Sequence, residues 1–169
     1  MNAFTTTLNK YDFGKYFYTV VYFPQHVLDT LPLEQFPRLR LEAEIDGVFV
    51  EGALMPDKAG SAQTRHLRGE GLLEGQRVWY FLVSKKVLKA IGKALGDEVL
   101  VSFTVADQDA VDLPRALEEL LEDHPRLCEA WDALSAGKKR SLVHPIKTAK
   151  TQATRARRLE ELEILLLEG

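Results

Sequence analysis

The 169-residue sequence has one cysteine, Cys128, which rules out an intrachain disulfide and leaves no sulfur cluster for zinc. A lone thiol fits a reducing, cytoplasmic setting. The four histidines, His26, His66, His124 and His144, lie far apart with neither H-x-x-x-H nor H-E-x-x-H spacing, so no metal is expected. There is no G-x-S-x-G, no P-loop and no G-x-G-x-x-G. No catalytic residue and no cofactor can therefore be named, and a non-enzymatic role is favoured over catalysis. No run approaches the ~18 apolar residues that a membrane span needs. The opening Met-Asn-Ala-Phe-Thr-Thr-Thr lacks the basic and apolar regions of a signal peptide. Acids are missing from one long stretch, residues 135–158.

That stretch holds eight basic side chains, Lys138, Lys139, Arg140, Lys147, Lys150, Arg155, Arg157 and Arg158. The chain has 22 Lys plus Arg and 25 Asp plus Glu, so outside the block 14 bases face 25 acids. A basic block in an acidic protein argues against general coating of DNA or anionic membrane, yet it still allows a local anion site.

Along the chain the hydrophobic period is first 2 and later 3.6. Phe4, Thr6 and Leu8 alternate with polar residues, and Tyr16–Phe23 has strand composition and length. A helical turn is expected at Val27–Leu31. Leu39–Ile45 and Val48–Leu54 flank Asp46-Gly47, the pair that a type I′ hairpin requires, because both central residues need positive φ. Residues 56–76 hold Pro, Ser, Gln, Thr and four Gly, so they read as a long irregular loop or connector. Arg77–Val83 is a strand, Ser84 can cap a helix over Lys85–Gly92, and Glu98–Val105 is a further strand. Trp79, Tyr80 and Phe81 could stack bases or sugars, but alternation sends neighbours to opposite faces, and core is the expectation for Trp79 and Phe81.

After residue 107 helical spacing takes over. Asp112 can cap a helix with Pro114 in its first turn and Leu117, Leu120 and Leu121 on one face. Leu127, Trp131 and Leu134 mark the next helix, with Cys128 expected as a small core hydrophobe. Ser135 caps a third helix that Pro145 should kink or split, and Thr151 caps a last helix with Leu159, Leu162 and Leu166 on one face. The expected fold class is α+β. An antiparallel, split and closed β-barrel of about six strands spans residues 1–106, followed by an appendage of three to four helices at 107–169.

Within the appendage, Ala149-Lys150-Thr151-Gln152-Ala153-Thr154-Arg155-Ala156-Arg157-Arg158, preceded by Trp131-Asp132-Ala133-Leu134-Ser135-Ala136-Gly137-Lys138-Lys139-Arg140, resembles the bacterial YdeI/OmpD-associated, bacteriocin-protection family. Residues up to about 105, through Gly-Val-Phe-Val-Glu-Gly-Ala-Leu-Met-Pro and Gly-Asp-Glu-Val, are similar to the barrel domain of unknown function that often accompanies this tail. Pro145 departs from the family pattern, in which the helix continues. The resemblance implies a role in tolerating antimicrobial peptides or stress, with no agreed enzymatic activity. Residues 82–99 also resemble the half-barrel of AbrB-type proteins.

Arg155, Arg157 and Arg158 stand in the first turns of the last helix, the wrong sign for its macrodipole. Two explanations stay open. The arginines dock the appendage on the acidic barrel, or the helix start binds a phosphate or carboxylate through Lys147, Lys150, Thr151, Thr154, Arg155 and Arg158. Projection from Leu159 puts Arg155, rather than Arg157, at the border of the buried face, where it should hold a carboxylate or an anion. Three roles follow. The first is a ligand or interaction module for an anionic small molecule or envelope component. The second is a nucleic-acid binder using the basic 138–158 block, for which specific duplex recognition is not expected. The third is an unrecognised enzyme.

Overall fold

A computed structural model describes residues 2–12, 15–58 and 77–169. The chain is mixed α+β and divides into two compact units, residues 1–106 and 107–169.

In the first unit the described residues form eight strands and two short helices. In order these are β1 (Asn2–Thr7), β2 (Asn9–Asp12), β3 (Phe17–Tyr22), α1 (Gln25–Leu28), β4 (Arg40–Ile45), β5 (Val48–Ala53), β6 (Met55–Lys58), β7 (Arg77–Val83), α2 (Lys85–Ile91) and β8 (Glu98–Val105). They pair into two four-stranded antiparallel sheets, ordered β1-β8-β4-β5 and β2-β3-β7-β6. No closed ladder joins the sheets among the described residues.

Two single residues carry the chain from sheet to sheet. Leu8 separates β1 from β2, and its N–H donates to the Asp97 carbonyl while its own carbonyl accepts from Gly96, both at 2.9 Å. Leu54 separates β5 from β6, and its N–H donates to the Leu39 carbonyl at 2.9 Å. Both leucines are fully buried, so each bend is held by a paired backbone group and an apolar side chain in the core. β2 and β6 were not expected. Alternation does not register a bend, and Pro56 disguises β6, where it is tolerated because β6 is an edge strand. Residues 56–58 of the expected loop are therefore strand, and residues 59–76 lie outside the described residues.

The facing sides of both sheets meet in one core that includes Phe4, Val21, Phe23, Ile45, Phe81 and Phe103. Phe4 and Phe23 meet edge to face at 4.7 Å between ring centroids, and Phe23 lies 5.1 Å from Phe103. Each buried ring removes enough apolar surface to stabilise the fold by about 1.5–3 kcal/mol. Trp79 and Phe81 belong to this core, as expected. Tyr80 is buried on the opposite face with Tyr11 and Tyr22, so none of the three residues 79–81 is available for stacking. Burial pushes the Tyr22 hydroxyl up to about 12.

The Asp46-Gly47 hairpin forms as expected, with φ of 47° and 83°. Asp46 accepts from the Leu100 N–H at 2.8 Å and pairs with Lys93 at 2.6 Å. The hydrogen bond from Lys93, then that from Leu100, holds its carboxyl below the usual range. A depressed pKa contributes stability above the ordinary carboxylate range and loses it as pH falls through the folded value. Asp46→Asn keeps a turn-forming side chain and an acceptor for Leu100. Its denaturation midpoint should lie below the parent's at pH 7, with the gap closing as pH is lowered through the carboxylate range.

Glu42 and Glu51 face each other across β4 and β5 on the outward side. Like charges directly opposite are unfavourable. Glu51→Lys should raise stability by roughly 0.2–1 kcal/mol, read from urea denaturation at low salt.

The second unit consists of α3 (Arg115–Asp123), α4 (Pro125–Asp132), α5 (Ala136–Lys147) and α6 (Gln152–Glu168). Leu117, Leu121, Leu127, Trp131, Val143, Ile146, Leu162 and Leu166 form its core, with Leu159 packed against it. Ser135 and Thr151 cap α5 and α6 as expected, accepting from the N–H groups of Lys138 and Thr154. Asp112 is not a cap. α3 begins after Pro114 with no side-chain cap, and Asp112 is ion-paired with Lys147. Pro145 does not split α5 either. It lies in the last turn, two residues before the helix ends.

Candidate functional site

The six expected anion-site residues gather around the turn between α5 and α6. α5 closes with Thr148, whose N–H and hydroxyl both donate to the His144 carbonyl, at 3.0 and 2.9 Å. The Ala149 N–H bonds back to Ile146 at 3.4 Å, leaving the Pro145 carbonyl without its usual i+4 donor. Arg158, from the second turn of α6, donates to that carbonyl. Arg155 donates to the Ala149 carbonyl at 3.3 Å and to the Gln152 side-chain oxygen at 3.0 Å. Thr151 accepts from the Thr154 N–H at 3.2 Å, and its hydroxyl donates to the Thr154 oxygen at 2.8 Å.

Arg155, Arg158, Thr151 and Thr154 are thus held together at one turn, with exposed Lys150 beside them. Lys147 is taken up by Asp112. The arginine acceptors differ from those expected. Within this unit Arg155 and Arg158 hold backbone carbonyls at the end of α5, where a cation also meets the negative pole of the helix dipole. Arg140 acts alike, donating to the carbonyls of Gln108 at 2.8 Å and Ala110 at 3.1 Å. Sequence identifies a basic side chain but cannot show that a carbonyl from a neighbouring turn will be its partner. The expected inward position of Arg155 is observed. It is half-buried, whereas Arg157 is exposed and lies 3.7 Å from Glu161.

Arg155 spends two of the five N–H groups of a guanidinium on these contacts, so donors remain for an anion. The first turn of α6 contains no acid, and its early N–H groups carry the positive end of the dipole.

A second concavity, not expected from sequence, lies in the first unit. It has a volume of about 770 Å³, lined by Tyr16–Thr19, Val50–Ala53, Met55 and Leu82–Lys85. The available signal was the run Tyr16-Phe17-Tyr18, whose residues are 73%, 52% and 50% exposed. Three consecutive exposed aromatics are costly unless they serve a surface.

Cys128 is only partly buried, and its thiol contacts the Asp132 carboxylate at 3.7 Å. Burial, then the neighbouring Asp132 charge, pushes the thiol up, against a nucleophilic thiolate. Among the described residues no group of three His, Cys, Asp or Glu could hold a metal, and no helix is long and apolar enough to cross a membrane.

Residues 110–169 match the family described as bacteriocin-protection, YdeI or OmpD-associated. The match takes in α3 to α6 and bears out the resemblance carried by residues 131–158. No curated protein matches the chain.

Replacing Arg155 with Ala should cost about 1–2 kcal/mol of stability, because two charge-assisted bonds are lost and the Ala149 carbonyl is left part-buried. Arg157→Ala should cost no more than about 0.5 kcal/mol, as expected of an exposed i,i+4 pair. Denaturant titrations of the two variants check the order.

Proposed function

We propose that the protein is a binding module in a bacteriocin-protection role, not a catalyst, and that the turn between α5 and α6 receives an anion. The family match supports the general role. The observation that carries the site is the Arg155 guanidinium, fixed beside Thr151 and Thr154 at a helix start with no acid in its first turn. Lys150 adds charge, and Arg158 and Lys147 complete the basic surroundings. The ligand class is a phosphate or carboxylate borne by a small metabolite or envelope component.

Residues 1–106 and 107–169 are taken as two domains, and the first as one barrel. Its two bent strands, β1–Leu8–β2 and β5–Leu54–β6, carry the hydrogen-bonded order from one sheet to the other. The setting is taken as cytoplasmic, in keeping with the single cysteine. The nucleic-acid reading draws less support, because Arg140, Lys147, Arg155, Arg157 and Arg158 all have partners within the unit.

Thermal melts in inorganic phosphate or sulfate, against chloride at matched ionic strength, test the site. The midpoint should climb with the logarithm of anion concentration in the parent and stay flat in Thr154→Val, which loses a hydroxyl but keeps the arginines. Equal midpoints in all three salts would remove the anion site from the proposal.

A further inference from the structure

The hydrogen-bond parity of the β4–β5 hairpin decides which backbone groups of β5 are already used. Ile45 and Val48 flank the two-residue turn, and at the far end Leu54 donates to Leu39. Bonded and non-bonded pairs alternate between these points, so Val48, Val50 and Gly52 direct their N–H and C=O groups at β4. Phe49, Glu51 and Ala53 direct theirs the other way. β5 is an edge strand, and no strand is paired to that outward row among the described residues. The β6–β7 ladder ends at Met55 and Tyr80. Beyond it lies the 770 Å³ groove, with Val50–Ala53 on one side and Leu82–Lys85 on the other.

We propose that the groove binds an extended, basic peptide as an added strand beside β5. A row of alternating donors and acceptors at strand spacing is complementary to an extended backbone, whereas a compact small molecule would leave most of it unpaired. The chemistry of the side chains follows from the two faces of β5. Glu42, Glu44 and Glu51 share the outward face, and the β8 residues opposite Glu42 and Glu44 are Thr104 and Ser102. Directly opposite these three carboxylates the β4–β8 and β4–β5 registers place no basic residue, Arg40 standing at the end of the strip opposite Ala53, and a basic residue set beside Glu51 would face that carboxylate directly. Side chains at the alternate positions of an added strand turn to the side of Val50, the core face of the sheet, where the apolar Val83 also lines the groove. The inferred ligand alternates basic and apolar residues. This inference stands on the first unit alone and does not depend on the anion site between α5 and α6.

Fluorescence anisotropy with the full chain and labelled Lys-Val-Lys-Val-Lys-Val-Lys provides the test. In the inferred register three of the four Lys residues are opposite Phe49, Glu51 and Ala53 and exchange both backbone bonds with them. Methylating the Lys nitrogens should therefore weaken binding about tenfold or more, while methylating the Val nitrogens should leave it within about twofold. Glu51→Lys, which relieves a like-charge pair, should remain folded yet bind about tenfold more weakly. On peptide binding, amide exchange should slow at Phe49, Glu51 and Ala53, with Val48, Val50 and Gly52 unchanged. The proposal is overturned by absence of saturable binding, by equal affinity for the two methylated peptides, or by unaltered exchange at the three outward amides. Equal binding of a Glu-for-Lys analogue would likewise refute the basic character of the ligand.

Discussion

A Cβ placed on Gly52 would come within 2.7 Å of the Phe81 ring. The contact joins β5 of one sheet to β7 of the other, at the corner where their ladders part. Phe81 is almost fully buried and shares the core with Phe23, Val83 and Leu54, so the ring cannot yield without opening that core. Gly52 lets the β5 backbone lie directly on the ring, and the next residues bend through Leu54 into β6. Close approach at this point brings the two sheets over a single core while leaving the outward row of β5 unpaired beside the groove.

In the helical unit the comparable constraint is how α5 ends. Pro145 cannot donate, so the Ser141 carbonyl one turn earlier lacks its usual partner, and the Pro145 carbonyl is itself freed as the helix closes over Thr148. Arg158 fills the latter need, and Arg155 does the same for Ala149. Basic residues are misplaced with respect to the dipole of α6, but they are well placed for the dipole of α5. The charge pattern of one helix is thus explained by the terminus of the one before it.

The same relation separates what local sequence pattern encodes from what only the fold brings together. Asp46-Gly47, Ser84, Ser135 and Thr151 were legible because turns and caps depend on local geometry that few residue types satisfy. The stripe of Leu162 and Leu166 was legible from helical spacing, and it placed Arg155 inside and Arg157 outside. Asp112 has the look of a helix cap from its neighbours alone, but its partner, Lys147, is 35 residues away. The bends at Leu8 and Leu54 were hidden because a leucine at a corner looks like any other core residue. The part of the site that was legible was its charge. Its acceptors were carbonyls, which every residue has.

The chain's two tryptophans are divided between the units. Trp79 is buried in the sheet core and Trp131 in the helical core, where Lys139 approaches its ring at 5.9 Å. Each unit therefore carries its own buried fluorophore, in a different electrostatic environment. A chain reduced to either tryptophan would report the melting of one unit alone, making the cooperativity between the two directly visible in emission.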